Sequence, residues 1–138
     1  MNLAERAFAT ETVLQRYRDK AFDWETAHCI RLAHAQAKAM GHKVPKLPKF
    51  KSAIAAKKAL KREGVETVTE LLDKHFLRHT APAFMLVGDL CVLEGEDGFD
   101  AVCIADGQGS LFGWHDDKPD GLAVIKFAQA DIKAAWRL

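Results

Sequence analysis

The residue best placed to do chemistry in this 138-residue chain is a cysteine, Cys29, and the open question is what could activate it. Attack on an acyl carbon needs a thiolate, and a thiol needs help to lose its proton near neutral pH. A protein can offer the partial positive charge of a helix N-terminus or a general base within hydrogen-bond reach. The first is available if Cys29 lies near a helix start. Helical spacing begins near Glu25 and runs through Cys29, Leu32, Ala33 and Ala37 to Gly41, a residue suited to the position just after a helix end. Cys29 then lies about one turn inside the helix. For the second, His28 is adjacent in sequence, but neighbours on a helix point roughly 100° apart and do not face each other. His115, in Trp114-His115-Asp116, is the remaining candidate base, with a solvated loop histidine as the plainer reading. Cys29 has its own plain reading, a small hydrophobe on a helix face.

Other clusters carry less. His75 and His79 are four apart and could share a zinc ion if one helix carried both. No Glu follows His75 in the metalloprotease manner, so a surface pair is the simpler account. Asp116, Asp117 and Asp120 lack the spacing of a calcium loop and its closing Glu, and read as a charged turn. No metal or cofactor is expected. The basic stretch Lys43 to Arg62 contains Phe50 as its one aromatic, thin support for stacking on single-stranded nucleic acid. A solvated helix face accounts for it first, and docking onto an acidic protein second, so nucleic acid is not the expected partner.

The elements that must position these residues fall in an α+β order, helices first and strands after. Asn2 to Arg18 reads as a helix, with Leu3, Ala7, Val13, Leu14 and Tyr17 recurring at helical spacing, and Phe22-Asp23-Trp24 breaks the pattern. The prolines in Val44-Pro45-Lys46-Leu47-Pro48 keep that segment from being helical throughout. Ser52 caps a third helix that stops at Gly64, and Thr67 with Glu70 has capping-box spacing at the head of a fourth, ending near Phe76. After Pro82, strands are expected over 84–93, 99–105, 110–114 and 122–127, with Glu94 to Gly98, Asp106 to Gly109 and His115 to Gly121 as turns. Short turns favour antiparallel neighbours. A last amphipathic stretch, Gln129 to Arg137, sets Ile132 and Trp136 four apart on one face.

Composition bounds the rest. The length fits one domain over 1–138, and an apolar share of 49% supports a real core. Net charge is +1, but its distribution is uneven. No acid lies between Glu25 and Glu63, whereas 89–120 holds nine acids and Lys118 as its one Lys or Arg, so a basic and an acidic pole are expected. Three irregularly spaced cysteines, Cys29, Cys91 and Cys103, argue for a reducing compartment rather than a disulfide framework. Neither a membrane span nor a secretory signal is visible.

Several pieces taken in order resemble a known group: Tyr17-Arg-Asp-Lys-Ala-Phe-Asp-Trp24, His28-Cys29, Gly88-Asp89-Leu-Cys-Val92, Ala101-Val-Cys-Ile-Ala105 with Asp106-Gly107, and Ala135-Trp136-Arg137. They look like small NlpC/P60-like proteins of tailed phages and prophages, which have the papain-like cysteine peptidase fold. The resemblance covers nearly the whole chain. It implies that Cys29 occupies the nucleophile position, although the Asp that usually precedes it is His28. It also implies a base at the start of the second strand, where this chain has Phe99 beside Asp100, and a third polar group on the next strand, where Ser110 or His115 is the candidate. A phenylalanine accepts no proton. The expected role is therefore a structural or adaptor component of the phage tail tip on a degenerate peptidase fold. It would be present in host cytoplasm during assembly and then in the virion tail, with other tail-tip or hub proteins as partners. The alternative is an active cysteine hydrolase cutting cell-wall peptide or another amide, with Cys29 as nucleophile and His115 as base.

Overall fold

Local rules set the helices. In the computed structural model, which describes residues 1–95, 99–115 and 118–138, α1 spans Leu3–Tyr17. Asn2 and Glu5 form a complete capping box at its head. α2 spans Cys29–Ala39, α3 Ala53–Arg62 and α4 Val68–His75, the last two capped by the side chains of Ser52 and Thr67 as expected. Among the described residues, no helix is long and apolar enough to cross a membrane.

The strands are β1 (Leu77–Arg78), β2 (Leu90–Leu93), β3 (Ala101–Ala105), β4 (Ser110–His115), β5 (Lys118–Lys126) and β6 (Ile132–Arg137). They form one sheet in the order β1-β6-β2-β3-β4-β5, and every neighbouring pair is antiparallel. The chain is therefore α+β. Alternation along β3 divides its side chains. Val102 and Ile104 join the main core with Leu14, Leu32, Leu60 and Leu72 of the helices, while Cys103 and Ala105 join a smaller cluster with Cys91, Leu111 and Ala135.

Three expectations are corrected here. Residues 84–93 are not one strand: Pro82–Phe84 is a 3-10 turn and β2 starts only at Leu90. Gly88, at φ +92°, and the Asp89 carboxylate, which accepts from the Leu86 N–H at 2.9 Å, hold the intervening chain in a turn. The terminal stretch is a strand rather than an amphipathic helix. β6 pairs with both β1 and β2, and the register shift between Val92 and Leu93 sends Ile132 to the small cluster and Trp136 to the main core. Trp136 is fully buried and donates from Nε1 to Asp73 Oδ1 at 2.9 Å, so it closes this domain's own core. On α1 the buried face carries Arg6 and Thr10 beside Val13, Leu14 and Tyr17, whereas Leu3 is exposed.

Those polar residues have partners. Asp89, with no exposed surface, takes Arg6 Nη2 at 2.6 Å, His79 Nε2 at 2.8 Å and the Leu138 N–H at 3.0 Å, besides Leu86. Arg6 also donates from Nε to the Val87 carbonyl at 2.9 Å. A buried carboxylate with this many donors ties α1, the turn before β2 and the C-terminal strand together. Beside it, Gln36 of α2 donates to Thr10 Oγ1 at 3.0 Å and to the Gly88 carbonyl at 3.1 Å.

Candidate functional site

The segment ahead of α2 decides where Cys29 sits. Asp23 Oδ1 accepts from the N–H groups of Glu25 (2.7 Å) and Thr26 (3.1 Å), and Asp23 and Ala27 exchange both backbone hydrogen bonds. This closed turn uses residues expected to be helical. His28 follows in an extended conformation (φ −136°, ψ 170°), and its Nδ1 accepts from the Arg31 N–H at 3.1 Å. An imidazole thus takes the capping role that a short oxygen-bearing side chain ordinarily plays. The helix begins at Cys29, not near Glu25, and Cys29 lies at its first position rather than a turn inside.

That position does not deliver an activated thiol. Cys29 is half-buried, and burial pushes its thiol above the ordinary range. Hydrogen bonding from the Val102 amide and from its own acts the other way and is outweighed. His28 is almost fully buried and held at a pKa of about 4, first by burial and then by the nearby Arg31 charge, against a smaller opposing influence of Asp23. It is therefore neutral near pH 7. Because Nδ1 accepts the Arg31 N–H, the ring proton is assigned to Nε2.

Cys29 opens onto a cleft of about 640 Å³ whose walls include Trp24, His28, Phe99, Asp100 and His115. Aromatic rings dominate it. Trp24 meets Phe99 edge-on at 5.2 Å and Phe22 at 5.0 Å, and Phe22 continues to Trp114 at 6.1 Å. Trp114 is fixed by donating from Nε1 to the Lys20 carbonyl at 2.8 Å. Lys57 of α3 sets its Nζ 5.7 Å from the Phe99 ring centre, which brings the basic helix to the cleft. Asp100 Oδ2 accepts from Thr69 Oγ1 and Lys133 Nζ, each at 3.0 Å.

The two sequence candidates meet here: His115, exposed at the end of β4, lines the same cleft as Cys29. Ser110 is at the opposite end of β4. His75 and His79 do not share a helix, because α4 ends at His75 and His79 is held by Asp89. Among the described residues no group of three metal-ligating side chains occurs. The basic stretch loses its aromatic, since Phe50 is buried against His28 at 4.6 Å. Asp116 and Asp117 of the charged turn, and Glu96 to Gly98, lie outside the described residues; Asp120 belongs to β5.

Sequence reasoning missed the aromatic wall and the capping function of His28. The signal for the wall was Phe22-Asp-Trp24, which reads as a helix breaker when its distance from Phe99 and Trp114 in the chain hides their contact.

The fold and the cleft define a small α+β domain that presents a cysteine from the first turn of a helix to an aromatic pocket at one end of a sheet. The chain belongs to the family described as "Domain of unknown function (DUF6950)", which matches residues 2–138. No curated protein and no solved structure matches it.

Proposed function

We propose that this protein is a component of a phage tail tip, built on an NlpC/P60-like fold whose hydrolytic set has lapsed. The observation that carries the non-catalytic half of this reading is the cleft itself. Where the resemblance calls for a base, the chain has Phe99, packed on Trp24. The thiol opposite is pushed up by burial rather than activated, and the adjoining imidazole is spent on capping the helix. General-base assistance alone is worth roughly 10²–10⁴-fold, so its loss removes useful turnover. The virion role is supported by the resemblance of the ordered motifs from Tyr17 to Arg137 to phage proteins of that kind. Mass spectrometry of purified particles of the encoding phage tests it: the protein is expected in the tail fraction. Its absence from particles whose tails assemble normally without it overturns the role.

A second reading, an active cysteine hydrolase, is favoured by one observation, the presence of His115 on the Cys29 cleft. Rapid labelling of Cys29 by an electrophile at neutral pH, lost in Cys29→Ala and sharply reduced in His115→Ala, distinguishes it from the first.

A further inference from the structure

A second space lies inside the helical layer. α2, α3, α4 and the segment from Val44 to Phe50 surround a cavity of about 90 Å³, which shares only Ile30 with the lining of the Cys29 cleft. Protein interiors leave few voids larger than a water molecule, because facing helices ordinarily interdigitate their side chains. Here α2 supplies Ala33 and Ala37 and α3 supplies Ala56 and Ala59, and four such short side chains leave the space unfilled. Leu60 and Leu72 complete an apolar wall. α3 is a light roof, since Ala56 and Leu60 are its two buried residues and both line the cavity. Of the charged residues in the lining, Lys46 and Glu63 are exposed and Glu63 is paired with Lys74, so the interior carries no charge.

One side is closed by a strap rather than by a helix. Pro45 and Pro48 keep residues 44–48 extended. Among the described residues, the backbone of this strap makes one hydrogen bond, which the Pro45 carbonyl accepts from His34 Nε2–H at 2.7 Å. Leu47 adds packing against the core. A segment held this lightly can lift while the helices on either side keep their own hydrogen bonds.

We propose that this cavity is a binding site for a short, uncharged alkyl chain, which enters under the 44–48 strap. An apolar cavity of about 150 Å³ stays dry and accepts a benzene ring, so this smaller space suits a chain narrower than a ring. The site does not depend on whether the Cys29 cleft has lapsed as a hydrolase.

An NMR titration of the full chain with propan-1-ol, butan-1-ol and pentan-1-ol tests it, read on side-chain methyl groups. Those of Ile30, Leu60 and Leu72 should shift saturably, while those of Leu111, in the smaller cluster on the other face of the sheet, stay in place. Affinity should tighten by about fourfold for each added methylene, the value of burying one such group. Ala59→Leu sets three more carbon atoms in the cavity and should abolish saturable binding with the far-UV circular dichroism unchanged. Should that variant lose its helical signal, Ala59→Val, a smaller filler at the same place, carries the test. His34→Ala removes the hydrogen bond to the strap and should speed ligand exchange several-fold in line-shape analysis. Shifts that do not saturate, equal affinity along the alcohol series, or undiminished binding in the folded filler variant overturns the site, and an unchanged exchange rate in His34→Ala overturns entry under the strap.

Discussion

Lowering the pH should cost this protein stability through one histidine. In the folded state His28 is held at a pKa of about 4, against 6.5 for an unperturbed imidazole. Below pH 6.5 the unfolded chain takes up a proton at this residue that the folded chain refuses until about pH 4. The sign follows: the contribution is fully present above 6.5, is lost progressively as pH falls, and is gone near 4. A fall of that size is worth about 3 kcal/mol at most. The physical origin is twofold, since the protonated ring would be buried beside Arg31 and would lose the Nδ1 lone pair that caps α2. Urea unfolding followed by far-UV circular dichroism at several pH values between 7 and 4 measures the loss. Five other histidines titrate too, so the comparison is with His28→Asn, which retains a capping oxygen and does not titrate. The wild type should lose about 2–3 kcal/mol more than the variant across that window. Equal losses would refute the account and mean that His28 is free to protonate in the folded state.

Three further outcomes are expected. Asp89→Asn leaves Arg6 buried without its counter-charge and should cost about 3–5 kcal/mol in the same unfolding assay, and a loss below about 1 kcal/mol would remove the carboxylate from its place at the centre of the fold. Gly88→Ala should cost about 1–3 kcal/mol, because the residue has φ +92° and an added Cβ would meet Thr10 Oγ1 at 2.7 Å; a neutral effect in thermal melting counts against this turn. Cys29 should react with iodoacetamide more slowly at pH 7 than an unhindered thiol, in keeping with its raised pKa, and at the same rate in His115→Ala; faster reaction in the wild type, depending on His115, would give His115 the role of base.

Much of this molecule is local and could be read without coordinates. The caps at Ser52 and Thr67 each bond an N–H three residues away, and a side chain three residues from its partner needs no tertiary information. The α+β order and the antiparallel pairing follow from hydrophobic period and short turns in the same way. What failed locally failed for stated reasons. Residues 129–137 carry an apolar spacing compatible with a helix, and only the gap between β1 and β2, lined with unpaired backbone groups, makes them a strand. The start of α2 shifted from near Glu25 to Cys29 because Asp23 captured the Glu25 and Thr26 amides in a turn of its own.

Sequence by itself put Cys29 in the first turns of a helix, and the family resemblance put Phe99 where a base is expected. The tertiary structure decided whether those facts amount to a reactive centre. A thiol's acidity depends on how much water and protein surround it, and here burial outweighs the hydrogen bonds from the Val102 and Cys29 amides. The meeting of Trp24, Phe99 and His115 around one cleft depends on the sheet that brings residues 24 and 115 together. Spacing along a chain fixes which residues share a helix face. Burial and the company of distant side chains belong to the folded sheet, and it is burial that keeps His28 neutral and leaves its second nitrogen without a partner.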